Sequence, residues 1–172
     1  MDCDPPEVLD DVLQAGLKVV FCGTAAGERS ALLRYPYAGP GNKFWATIHR
    51  IRLTDAELPP SDFRKLLDFG LGLTDIAKRA HGADSALSNG DFDVPKLRDK
   101  LTKFSPRILA FNGKKAASVF YERPTRKLKY GIQPARIEET IVWVLPSTSG
   151  SACRYWDLAQ WQALADSKLA SD

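Results

Sequence analysis

A short apolar run, Val19, Val20 and Phe21, ends in Gly23-Thr24-Ala25-Ala26-Gly27, and a loop dense in glycine, proline and aromatic residues follows. No other stretch restricts the fold as tightly. It reads as a buried strand that opens into a glycine-bracketed loop at its carboxyl end. In open α/β sheets that is where ligands bind. Within the loop Tyr35 and Tyr37 flank Pro36. An aromatic ring held by a proline beside flexible backbone offers a surface on which a flat ring, a nucleobase included, can stack.

The remaining chain alternates helix and strand patterns. Glu7 to Ala15 predicts a short helix between Pro5-Pro6 and Gly16, and Lys18 to Cys22 the first strand. Asn42 to Ile51 predicts a helix with Phe44, Ile48 and Ile51 on one face and Trp45 beside them. Ser61-Asp62 would cap a second helix to Phe69, and Gly70 to Ala80 reads as loop or short strand. Asp93 to Phe104 predicts a helix with Leu97 and Leu101 inward, Arg107 to Phe111 a strand, and Lys114 to Tyr121 a helix. Arg136 to Leu145 is a β-branched-rich strand, and Arg154 to Leu169 the last helix. This order predicts an α/β fold, a three-layer α/β/α sandwich around a central, mainly parallel sheet. With 172 residues and no linker or repeat, a single domain spanning residues 1–172 is expected.

Composition excludes several classes. No run approaches the ~18 apolar residues of a membrane span, and MDCDPPEV lacks the apolar core of a signal peptide. Cys3, Cys22 and Cys153 are an odd number without ligand spacing, so no disulfide framework, zinc site, iron–sulfur cluster or other cofactor is expected, and a reducing cytoplasm is. The net charge of +3 permits nucleic-acid binding without demanding it. The cations are uneven: Lys114, Lys115, Arg123, Arg126, Lys127 and Lys129 lie in one segment whose sole acid is Glu122. That segment is either a solvated loop or an edge that contacts phosphates.

Five motifs, in order and in register, carry a family likeness between about residues 19 and 165. They are Gly23-Thr24-Ala25-Ala26-Gly27, the run Tyr35 to Trp45, the block Leu66 to Gly82, the segment Phe111 to Tyr121, and Val144 to Ser151. The chain resembles the mismatch-specific uracil- and thymine-DNA glycosylases of the uracil-DNA glycosylase superfamily. The resemblance implies hydrolysis of the N-glycosidic bond of a damaged base that has been flipped out of DNA. It implies that Tyr37 stacks on the flipped ring and that Ser30 lines the pocket. It places Gly150 and Ser151 at the wedge that fills the vacated stack. The polar edge of the base would meet backbone groups of Gly23, Thr24, Ala25 and Gly27. Asn112 could add a side-chain contact, although a turn with Gly113 explains it equally well. Ser147, Ser149, Gly150, Ser151, Arg154 and Lys114 would contact DNA.

One departure matters. Where the family has an Asn that orients the attacking water, this chain has Ala25. An alanine can neither orient nor activate water. The oxocarbenium-like sugar left by a departing base favours a nearby carboxylate, and Asp75 in Leu73-Thr74-Asp75-Ile76 is the candidate, at a position that holds Lys or Asn in related enzymes. Alternatively Asp75 caps a helix beginning at Ile76. Glu28 is a lesser rival. Ser147 stands where other branches carry a His, and His49 and His81 read as ordinary surface or loop residues. The expectation is a monofunctional, monomeric uracil-DNA glycosylase that accepts single-stranded or duplex DNA. Two alternatives remain: a DNA-binding or damage-sensing module without the chemistry, and a glycosylase for another base such as hypoxanthine or thymine.

Overall fold

The computed structural model describes residues 4–167 and 170. Its centre is a five-stranded sheet of β1 (Val19–Gly23), β2 (Leu71–Asp75), β3 (Ile108–Asn112), β4 (Gly131–Ile132) and β5 (Ile141–Leu145). The order across the sheet is β2-β1-β3-β5-β4, with only β4 antiparallel to its neighbour. Helices α1 (Glu28–Leu33), α2 (Phe44–Arg50), α3 (Val94–Phe104), α4 (Lys114–Tyr121) and α5 (Leu158–Asp166) surround it, joined by short 3₁₀ turns.

The strands sort their side chains by parity, as a period of two requires. Val19, Phe21, Ile108, Ala110, Ile141, Trp143 and Leu145 face one core, closed by Phe44, Trp45 and Ile48 of α2, by Phe63 and Leu66, and by Trp161 and Leu164 of α5. Val20, Cys22, Leu109, Phe111, Val142 and Val144 face the other, closed by Leu97 and Leu101 of α3 and Ala116, Ala117 and Phe120 of α4. Both faces are apolar, so the parallel strands must be covered on both sides. The expected three-layer α/β/α sandwich with a mainly parallel sheet is what forms.

Several boundaries differ from expectation. Glu7 to Ala15 is not a helix. Val12 pairs antiparallel with Leu73 through two hydrogen bonds of 2.9 Å, and Val8 donates to the Lys78 carbonyl. A nine-residue helix is marginal alone, whereas β2 is an edge strand whose free backbone groups gain partners from this segment. The Gly23 to Gly41 loop contains an unexpected helix, α1. The segment from Pro60 to Phe69 is a 3₁₀ helix without a side-chain cap, because Asp62 pairs with Lys65 at 2.7 Å instead. The last long strand begins only at Ile141: Glu138 takes a left-handed φ of 52° and the bridge from Ile137 to Thr140 closes a tight turn before it. Arg154 lies in the 3₁₀ turn Gly150–Tyr155 rather than in the last helix, which starts behind the Asp157 cap, and Leu169 lies outside the described residues. Among the described residues no helix is long and apolar enough to cross a membrane.

From β1 the chain moves to β2 on one side, then crosses to β3 on the other. The loops leaving β1 and β3 therefore diverge, and a crevice opens at the carboxyl edge between them. Gly23 pairs with Asp75 and Asn112 with Leu145, so one row of strand ends delivers all four residues to that edge.

Gly72 sets how closely the amino-terminal segment approaches the sheet. A Cβ there would lie 2.5 Å from the Val12 carbonyl oxygen and 2.7 Å from Leu17 Cδ1. Gly72→Ala should therefore lower stability by about 1–3 kcal/mol, read as a lower urea midpoint with an unchanged m-value. A midpoint equal to that of the unaltered protein would show that the segment does not hold this position in solution.

Candidate functional site

A cleft of about 1120 Å³ opens over the carboxyl edge of the sheet. Gly23, Thr24, Ala25, Gly27, Ser30 and Tyr37 line it from the β1 side, Asp75 from β2, Asn112 and Lys114 from β3 and α4, and Ser147, Ser149, Gly150 and Ser151 from the loop after β5. The sequence-predicted residues thus meet in one place, apart from Arg154. Arg154 lies outside the lining and holds its guanidinium 5.9 Å from the Tyr155 ring.

Asp75 is the last residue of β2, and no helix follows it. The capping alternative therefore has no helix to cap. Beyond the strands the backbone ladder continues: Ile76 donates to the Gly23 carbonyl at 3.0 Å and Ala77 to that of Thr24 at 2.8 Å. This holds the Asp75 loop alongside Ala25. A Cβ on Gly23 would lie 2.5 Å from Asp75 Oδ1 and 3.2 Å from the Tyr37 hydroxyl. Carboxylate and phenol therefore converge over a bare glycine backbone that has no space for a side chain.

Tyr37 is anchored from behind. Its ring stacks on Phe44 at 4.2 Å and 26°, and Phe44 in turn meets Phe21 and Trp161 edge-on. Trp45 Nε1 donates to the Pro36 carbonyl at 3.1 Å, and the buried Ser30 hydroxyl accepts from the Ala38 N–H at 3.0 Å. Tyr37 takes a left-handed φ of 53°, a conformation that costs a bulky residue on the order of 1–3 kcal/mol and persists where its surroundings impose it. Burial pushes its phenol well above the usual range, with the Asp75 charge adding to the effect and a hydrogen bond with Asn112 opposing it. The hydroxyl therefore stays protonated at neutral pH.

Burial also raises the Asp75 carboxyl. Lys78 works against that shift, Asp11 adds to it, and Lys100 opposes it more weakly. Lys78, only 7% exposed, donates to the Leu9 carbonyl at 2.6 Å and pairs with Asp11 at 2.8 Å, while Lys100 closes on the other Asp11 oxygen. Burial disfavours the Lys78 charge, but Asp75, Asp11 and Glu7 outweigh it and the ammonium is held. A raised carboxyl steadied by a fixed cation is the electrostatic pattern of a working acid or base.

The Asn112 amide is largely committed. Its Oδ1 accepts from the Thr148 N–H at 3.0 Å and its Nδ2 donates to Thr148 Oγ1 at 2.9 Å. These bonds clip the end of β3 to the loop after β5, which Lys43 N–H to the Thr148 carbonyl and Trp161 Nε1 to the Pro146 carbonyl also hold. A Cβ on Gly150 would lie 3.1 Å from the Pro40 carbonyl, so this loop packs against the Tyr37 loop. Exposed Glu28 pairs with His81 at 3.3 Å, and His49 Nδ1 lies 3.3 Å from the Thr54 carbonyl on α2's side of the fold. Cys22 is buried, which pushes its thiol well up. Among the described residues no group of three metal-ligating side chains is present.

Sequence reasoning missed several residues of the lining, among them Lys78, Tyr130 and Tyr155. Lys78 carries a weak signal, a cation directly after the apolar pair Ile76-Ala77. Tyr130 ends the basic run, and Tyr155 has no signal of its own.

A family model described as the uracil DNA glycosylase superfamily matches residues 11–166. Among solved structures, the solution NMR structure of a protein from Methanosarcina acetivorans, proposed to be a uracil DNA glycosylase, is similar at 26% sequence identity with a TM-score of 0.58. The match covers 94% of each chain.

The electrostatics around Asp75 can be read in solution. Followed by carbon NMR, its carboxyl should titrate above the ordinary aspartate value of about 3.9. In Lys78→Met the midpoint should rise further, because the cation that favours the ionised form is gone while burial remains. A wild-type midpoint at or below the ordinary value, or one unmoved by the substitution, contradicts this arrangement.

Proposed function

This chain belongs to the uracil DNA glycosylase superfamily, whose members hydrolyse the bond between base and sugar in DNA, and on that premise we propose that it removes uracil to leave an abasic site. It does so as a single-domain monomer. The observation that carries the reading is the convergence of Asp75 Oδ1 and the Tyr37 hydroxyl over Gly23. It supplies a carboxylate and an aromatic ring at the floor of the cleft although Ala25 offers no amide.

Extruded uracil lies against Tyr37, with its polar edge on backbone groups of Gly23, Thr24, Ala25 and Gly27 and on the Asn112 amide, where it displaces the bond to the Tyr37 hydroxyl. As the glycosidic bond lengthens, its electron pair leaves with N1 and positive charge grows on the sugar. The ionised Asp75 stabilises that charge and accepts a proton from water, whose oxygen bonds to C1′. The proton is then given up to solvent or to the departing base. Asp75 must be ionised for this step. Activity therefore falls as pH drops through its raised pKa, and Lys78 limits how high that pKa goes.

Ser147, Ser149, Gly150 and Ser151 meet the DNA, with Lys114 and Arg154 on phosphates. Gly150 and Ser151 form a small wedge that does little to replace an extruded base. Single-stranded DNA, which needs no unpairing, is therefore a full substrate.

The test is incubation with a labelled uracil oligonucleotide followed by alkali. Strand cleavage at uracil is expected, with single strand cut at least as fast as a G·U duplex, and Asp75→Asn should lower kcat by about 10²- to 10⁴-fold. Binding without cleavage would mean a damage-sensing module, and cleavage only at hypoxanthine or thymine a different substrate. Near-normal turnover in Asp75→Asn would remove Asp75 from the chemistry, and clearly faster duplex cleavage would remove the single-strand reading.

A further inference from the structure

Two tyrosines on the rim of the cleft have no part in the hydrolytic step. Tyr155 ends the 3₁₀ turn Gly150–Tyr155 and is 63% exposed. Tyr130, half-buried, directly precedes β4. Both line the same cleft as Asp75. Burial raises the Tyr130 phenol. Tyr155 belongs to neither hydrophobic core, so packing does not account for a large ring at this place.

The rim is cationic as well as aromatic. Lys114 Nζ stands 4.5 Å from the Tyr130 ring centroid and the Arg154 guanidinium 5.9 Å from that of Tyr155. Lys115 and Arg126 complete the lining on this side. Among the described residues none of these four cations is in an ion pair. An exposed ring and a half-buried one beside unneutralised cations, continuous with a base pocket, fit a polyanion that carries free π-faces. That combination is the chemistry of unpaired nucleic acid. Peptide or duplex fits less well, because a base still stacked in a duplex presents no free face.

We infer that Tyr155, with Tyr130 beside it, forms a stacking subsite for the unpaired base next to the extruded nucleotide in single-stranded DNA. Lys114 and Arg154 hold the intervening phosphates. The subsite deepens the function proposed above and rests on that reading of the cleft. It also supplies what the small Gly150–Ser151 wedge lacks: the strand is held by its neighbouring base rather than by a plug in a duplex.

The experiment uses a single-stranded oligonucleotide with one 2′-fluoro-deoxyuridine, which resists cleavage, and 2-aminopurine placed on one side or the other of it. Stacking should quench 2-aminopurine on one side. Tyr155→Ala should abolish the quench and weaken binding about tenfold without changing the salt slope. Tyr155→Trp should restore both. Lys114→Gln should instead lower the salt slope by ~0.7 and keep the quench. Tyr155→Ala binding within twofold of wild type, with the quench intact, overturns the subsite. Cleavage of ordinary uracil strands without any stacking signature likewise overturns the subsite alone. The signature without cleavage at uracil overturns the hydrolase reading alone, and failure to bind single strands overturns the subsite and the single-strand reading while cleavage of a G·U duplex still tests the hydrolase.

Discussion

A parallel sheet buried on both faces leaves no face free for chemistry, and everything else in this protein follows from that constraint. Odd and even residues of β1, β3 and β5 are consumed by two separate cores. Polar groups can project only at the ends of strands. The crossing from β2 to β3 opens the carboxyl edge between β1 and β3, so Gly23, Asp75 and Asn112 arrive side by side although they lie far apart in sequence. Their positions follow from register rather than from long flexible loops.

At that edge the site trades stability for geometry. A carboxyl is buried against a phenol, an aromatic residue is held at positive φ, and a lysine is sequestered with the acids that neutralise it. Each would be costly alone. Together they are consistent, because Lys78 answers both Asp11 and Asp75 and because Tyr37 continues an aromatic stack rooted in Phe21, Phe44 and Trp161. The amino-terminal segment has a part here: by pairing along β2 it carries Glu7, Leu9 and Asp11 to the buried ammonium.

The loop after β5 is fixed as firmly as the floor. Asn112, Lys43 and Trp161 each bond to it, and Gly150 touches the Tyr37 loop. Asn112, read from sequence as a group for base recognition or for a turn, mainly holds this loop. The two walls of the cleft are therefore coupled through backbone contacts, and DNA would meet a preformed mouth rather than one that must assemble around it.

The sequence by itself determined the periodic elements and the family likeness. Lys114 to Tyr121 is a helix with the expected bounds, Asp93 caps α3 through the Lys96 N–H, and the five motifs meet around one cleft, because local propensity and spacing survive folding unchanged. What it misread were segments with weak local preference and strong distant partners: Glu7 to Ala15, which pairs with the edge of β2, and Arg136 to Thr140, which turns before β5. Only the tertiary structure set the Asp75 carboxylate above Gly23, buried Lys78 behind it and put Tyr155 on the rim. Those facts depend on which strands are neighbours and how closely their backbones approach, and no window along the chain carries that information.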